Sequence, residues 1–177
     1  MRVISKQDSA PTACTSFNFG EVEDYTIILS QPLNAEINVK GGAMSIPNGF
    51  DSPYGLNNTL FATTPLNTDS LEKEFTIENI GIADLNLSGF PVIKIEGANP
   101  LDFIVTQHAT TPVINGMTVT FKIKFRPTVA GLRTANVRIE SNDSDENPYI
   151  FAIEGTGNCT VAPTISIFPK KKKKNTL

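Results

Sequence analysis

The chain has no tryptophan, one histidine and two cysteines in 177 residues, and these shortages remove most catalytic chemistry. Any Ser-His-Asp triad would need His108, and no Gly-x-Ser-x-Gly elbow accompanies it. A lone histidine in a threonine-rich loop reads by default as solvated polar surface. With no Cys-x-x-Cys pair and no His-Glu-x-x-His, a zinc site lacks its ligands. The glycine patterns of phosphate-binding and dinucleotide-binding loops are absent as well. No stretch reaches the roughly 18 apolar residues of a membrane helix, and Met1 to Ser5 has no apolar signal-peptide core. The net charge of −3 argues against general affinity for nucleic acid. The expectation is therefore a chain that is not an enzyme, does not insert into membranes and uses no cofactor.

What the chain does have is strand patterning. Thr118 to Phe125 alternates with period two, placing Val119, Phe121, Ile123 and Phe125 on one face and threonine and lysine on the other. Arg126-Pro127 ends that strand, because proline has no N–H for a ladder. Leu132 to Glu140 alternates again, with Ala135, Val137 and Ile139 on its apolar side. After the polar loop Ser141 to Pro148, Tyr149, Phe151 and Ile153 alternate up to Gly155-Thr156-Gly157. This run predicts an antiparallel meander with one wet face. Upstream, Ala35 to Lys40 is a short strand, Ala43 to Asn58 a long loop, and Thr59 to Thr63 a further short strand. Leu71 to Asn79 is a strand with Leu71, Lys73, Phe75 and Ile77 on one face. Leu85-Asn86-Leu87, Val92 to Glu96 and Asp102 to Thr106 follow. Strands every 8 to 12 residues with turns between them predict a sandwich rather than βαβ units.

Three segments result. Residues 1–32 contain a closing strand, Glu21 to Leu29, without its parent sheet. Residues 33–158 form the sandwich, and residues 159–177 a linker or the start of a further module. Lys170 to Lys174 reverses the charge locally; without these five lysines the chain stands near −8. The run reads as an artefact or truncation of the natural sequence, a solvated tail or, least favoured, a basic patch. Cys14 and Cys159 flank the sandwich, and spacing leaves their pairing open.

The densest polar cluster is Asn142-Asp143-Ser144-Asp145-Glu146-Asn147. Asn142, Asp143 and Asp145 are calcium candidates, since Ca²⁺ takes six to eight oxygens. The cluster does not follow an EF-hand frame, and the plainer reading is a loop whose Asn and Asp side chains bond their own backbone. Glu21, Glu23 and Asp24 form a second acidic group that reads as a solvated strand face. Asn57, Asn86, Asn142 and Asn158 head Asn-x-Ser/Thr triplets, which point only to exposed segments. Phe75, Ile77, Phe121, Ile123, Phe125, Val137, Ile139, Phe151 and Ile153 are expected to face inward, as core rather than ligand platform.

Two resemblances extend this reading. Gly20-Glu21-Val22-Glu23-Asp24-Tyr25-Thr26 resembles the closing motif of the GEVED domain of large secreted proteins of Bacteroidetes-type bacteria. Phe75 to Gly81, Ile95 to Phe103, Phe121 to Pro127 with Gly131, Ser141-Asn142-Asp143 and Pro148 to Gly157 together resemble the choice-of-anchor D domain. That family is akin to the abnormal-spindle and hydin-type immunoglobulin-like modules. The resemblance implies an all-β, immunoglobulin-like antiparallel β-sandwich of seven to nine strands, with partial strands at both ends. It also implies a non-catalytic structural or adhesion module of a secreted or cell-surface multidomain protein. Its partners would be neighbouring domains of the same chain, or an extracellular protein or glycan. The alternative is an accessory calcium- or carbohydrate-binding domain of a secreted hydrolase.

Overall fold

The computed structural model describes residues 2–6, 20–24, 34–70 and 72–159. The chain divides into two units, Met1–Gln31 and Pro32–Leu177. In the first, β1 (Arg2–Lys6) and β2 (Gly20–Asp24) pair antiparallel, with Arg2 opposite Asp24 and Lys6 opposite Gly20. The rest of the strand expected up to Leu29, together with Cys14, lies outside the described residues.

The second unit is a sandwich of two sheets. One runs in the order β4 (Met44–Ser45), β3 (Ile37–Gly41), β6 (Lys73–Asn79), β9 (Thr118–Phe125) and β8 (Phe103–Gln107). The other runs β5 (Thr64–Pro65), β11 (Tyr149–Asn158), β10 (Gly131–Ile139) and β7 (Ile93–Glu96). All pairings are antiparallel except that of β5 with β11. The only helical pieces among the described residues are two three-residue turns, Gly55–Asn57 and Pro100–Asp102. The chain is thus an all-β sandwich, as its strand spacing predicts, and immunoglobulin-like, as the resemblance implies.

The period-two faces meet in the middle. Phe75, Ile77, Phe121, Ile123, Phe125, Val137, Ile139, Phe151 and Ile153 are all completely buried. Each contributes roughly 1.5 to 3 kcal/mol of transfer free energy. The rings of Phe75 and Phe121 stack at 5.1 Å on neighbouring strands, and Phe151 of the opposite sheet meets Phe75 at 5.6 Å. Phe61, from the loop before β5, closes the far end against Phe103 and Phe125.

The expected meander is corrected. β9 and β10 are consecutive but do not pair: β9 joins β6 and β8, whereas β10 lies between β11 and β7 in the other sheet. A half-buried strand alternates identically whether its successor folds back beside it or arches over to the facing sheet. Two smaller expectations also change. Leu85 and Leu87 form only isolated bridges, to Val113 and Ser141. Within Thr59 to Thr63 only Leu60 bridges, to Glu154, and the strand is Thr64–Pro65. Leu71 lies outside the described residues, and Lys73, on the face of Phe75 and Ile77, is half-buried.

The β11 strand also continues through Gly155 and Gly157 instead of ending there. A Cβ at Gly155 would lie 2.7 Å from the ring of Phe125, so glycine admits that ring without breaking the ladder.

Strand registers fix the two poles of the sandwich. Asn34 lies beside the end of β6, where its carbonyl accepts from the Ile82 N–H at 3.2 Å. At the other end of β9 the chain arches to Gly131, which faces Gly157, and Asn158 accepts from the Leu66 N–H at 3.0 Å. The sandwich chain therefore comes in at one pole and leaves at the opposite one. Nine residues of β10 span that distance, about 30 Å at 3.3 Å per residue.

Candidate functional site

The loop between β10 and β11 folds around one carboxylate. Asp143 is fully buried and accepts three backbone N–H bonds. Oδ1 takes those of Asp145 (3.2 Å) and Glu146 (3.4 Å), and Oδ2 takes that of Ile37 at 2.8 Å. The first two bonds close the loop on itself; the third fastens it to the start of β3 in the facing sheet. Ser141 Oγ accepts from the Asp143 N–H at 3.2 Å and Asn147 Oδ1 from the Ser141 N–H at 3.1 Å.

The Ile37 contact draws in a residue that local sequence could not flag. Carboxylate oxygens of Glu36, Asp143 and Asp145 lie within 4.8 Å of one another, although Glu36 is over a hundred positions away in sequence. Burial pushes the Glu36 carboxyl above the ordinary carboxylate range, and repulsion from Asp143 and Asp145 adds to it. Glu146 is raised for the same reasons: burial first, then Asp143, Glu36 and Asp145. The arrangement concentrates negative charge and favours uptake of protons or of a hard cation.

Asn142, the third calcium candidate, is committed elsewhere. Its Oδ1 accepts from the Asn86 N–H at 2.7 Å and its Nδ2 donates to the Asp84 carbonyl at 3.0 Å. Asn142, Asp143, Asp145 and Glu146 already stand in one polar cluster in the sequence, whereas Glu36 joins Asp143 and Asp145 only in the fold. Only the period-two pattern of β3, which points Ile37 inward and Glu36 outward, carried any hint of Glu36.

Tyr149 borders the cluster. Its hydroxyl donates to the Ile46 carbonyl, and burial, with Glu146 second, pushes its pKa up to about 12. His108 is exposed, and its Nδ1 accepts from the Ile93 N–H at 3.3 Å. That bond holds the first residue of β7, a sheet-edge strand. Of the four Asn-x-Ser/Thr asparagines, Asn86, Asn142 and Asn158 are exposed, but Asn57 is buried. The expectation of an exposed segment fails at Asn57, because its Oδ1 turns in to accept from the Thr59 hydroxyl at 2.6 Å. Cys159 is exposed with a free thiol. No helix among the described residues is long and apolar enough to cross a membrane.

Comparison with known proteins adds one family. Residues 1–28 match the GEVED domain. The described GEVED portion is the β1–β2 pair, with the Gly20 to Asp24 motif forming β2. No curated protein matches the chain. Among solved structures, the ASH / PapD-like domain 7 of human CEP192 is similar, with 14% identity and a TM-score of 0.48. The match covers 78% of this chain and 96% of that one. A protein of unknown function from Porphyromonas gingivalis W83 is 12% identical with a TM-score of 0.47, over 72% of this chain and 49% of that one. The VesB protease of Vibrio cholerae is 9% identical with a TM-score of 0.42, over 70% of this chain and 31% of that one.

Proposed function

We propose that the chain is a non-catalytic, immunoglobulin-like structural module of a secreted or cell-surface bacterial multidomain protein, a choice-of-anchor D domain following a GEVED domain. It acts as a spacer that holds neighbouring domains apart and offers its loops as an interaction surface. The observation that carries the reading is the placement of the sandwich's two ends at opposite poles. A rigid body whose chain passes from pole to pole separates whatever is joined to it, by about 30 Å here. The interior supports the same reading: it is filled by side chains without chemistry. The one histidine fastens a strand edge, and the acidic loop braces β3.

Spin labels on Asn34→Cys and the native Cys159, with Cys14→Ser, test the spacer directly. A narrow distance distribution near 30 Å is expected. A short distance, or a broad one, would reject the reading. Hydrolytic turnover by the chain that is lost with His108→Ala or Asp143→Asn would reject it equally.

A second reading is favoured by the convergence of Glu36, Asp143 and Asp145: an accessory domain that takes up Ca²⁺. Three carboxylates supply half of a calcium shell, and loop carbonyls and water would supply the rest. Calorimetric titration with CaCl₂ decides it. Binding that is lost in Asp145→Asn supports it, and an unchanged thermal midpoint in saturating Ca²⁺ removes it.

A further inference from the structure

Phe90 is the most exposed large apolar residue described: its relative exposure is 103%, so its whole ring stands in water. Exposed apolar residues are ordinary when scattered, but two features set this one apart. The turn that carries it is held at both ends. The Ser88 N–H donates to the Glu140 carbonyl at 2.8 Å, and the Ile93 N–H donates to His108. Beside it opens a cleft of about 130 Å³, lined by the 89–92 turn, Lys94, Arg138 and Glu140. At about 30 Å³ per liquid water this holds roughly four waters, the room that one small ring displaces.

The charges around the cleft cancel. Lys94 pairs with Glu96 at 3.2 Å, and Arg138 bridges Glu96 at 3.9 Å and Glu140 at 3.1 Å. Two cations and two anions give no net field to select a charged ligand. They do leave unused N–H donors on Arg138 and Lys94, and carboxylate lone pairs, along one strip. An exposed aromatic face on a turn fixed at both ends, beside a charge-balanced row of donors and acceptors, suits a ligand that is apolar on its ring face and hydroxylated around its rim.

We infer that the Phe90 turn and the Lys94–Arg138–Glu140 cleft form a binding site for a neutral sugar ring. The ring stacks on Phe90 and its hydroxyls bond to Arg138 and Glu140. This site rests on the interaction-surface half of the reading above and is independent of the spacer half. A peptide or a second copy of the chain would also use an exposed phenylalanine, but neither explains the balanced charges and the small cleft as well.

The test is an amide NMR titration of the 177-residue chain with neutral hexasaccharides of β-1,4-glucose, α-1,4-glucose, β-1,4-mannose and β-1,4-xylose at millimolar concentration. At least one is expected to shift resonances confined to residues 88–94 and 138–140. Phe90→Ala should weaken that binding about tenfold or more, an aromatic contact's worth, while Phe90→Tyr retains it and the remote Leu56→Ala leaves it unchanged. Absence of shifts with all four sugars overturns the inference. So do shifts centred elsewhere, or resonances at the Phe90 turn that move with protein concentration alone, which would assign the surface to self-association. The spin-label distance is untouched by any of these outcomes, so failure of the site and failure of the spacer are separable.

Discussion

Asn79, at the end of β6, uses its whole side chain. It is 1% exposed. Its Oδ1 accepts from the Glu36 N–H (3.3 Å) and the Gly81 N–H (3.1 Å), and its Nδ2 donates to the carbonyls of Ala83 (2.7 Å) and Val113 (2.9 Å). One amide thus joins the start of β3, its own turn and the loop before β9. Asn79→Ala would take the acceptor from the Glu36 and Gly81 N–H groups, at about 1–3 kcal/mol for each group left unpaired, while the Val113 carbonyl keeps its bond from the Leu85 N–H. A total loss of about 3 kcal/mol is expected, read in urea as a lower midpoint with an unchanged slope; a loss below about 0.5 kcal/mol would show that water replaces the amide. Gly81 belongs to the same knot, since a Cβ there would lie 2.1 Å from the Asn34 carbonyl oxygen. At Gly155 the obstacle is the Phe125 ring, so Gly155→Ala is expected to cost about 1–3 kcal/mol by overpacking. The sequence marks Asn79-Ile80-Gly81 as a turn, but not why those residue types stand there. The reasons are contacts with positions some forty residues away, which no local pattern records.

At the level of elements, alternation carried most of the information. β6, β9, β10 and β11 and their inward residues are legible because a period of two admits only two faces, and only one of those is apolar. What alternation cannot say is which sheet a strand joins. The arch from β9 to β10 is an instance, and a buried ion pair decides it. Asp102 is 1% exposed. It takes the N–H and hydroxyl of Thr128 at 2.9 and 2.7 Å and is paired with Arg133 Nε. The arch is thereby tied to the turn before β8. Burial alone would raise the Asp102 carboxyl, but the Thr128 and Arg133 bonds together outweigh it and hold it below the ordinary carboxylate range. The folded state then binds fewer protons at this group than the unfolded chain. Its contribution is fully present above a pH of about 4 and is lost as pH falls through the folded pKa. Asp102→Ala should cost about 3–5 kcal/mol at neutral pH, because Arg133 keeps a half-buried charge without its partner. In urea unfolding at pH 7 and near pH 2, the gap between variant and wild type should narrow at the lower pH. An equal gap at both would show that packing, not charge, is lost.

The whole molecule carries an opposing electrostatic feature near the pole where the sandwich chain comes in. Glu36 and Glu146 face Asp143 and Asp145, and their folded pKa values are raised. Here the folded state binds more protons than the unfolded one, so stability declines as pH rises through the raised values. Together with Asp102, which loses its contribution in acid, this predicts greatest stability in mildly acidic solution rather than at neutral pH. The acidic loop also supplies the bond from Asp143 to the start of β3, the first strand of the sandwich to bear any load applied at Asn34. Charge repulsion therefore acts on the strand that a spacer most needs to hold. Glu36→Gln and Glu146→Gln should each raise the thermal midpoint at pH 7, and the gain should vanish near pH 4, where the wild-type carboxyls are themselves protonated. Asp143→Asn should lower the midpoint at both pH values, since it weakens the acceptor for three backbone N–H groups. If Glu36→Gln instead lowers stability at pH 7, the carboxylates are being held together by a bound cation. Adding a chelator to the wild-type protein should then reproduce the loss.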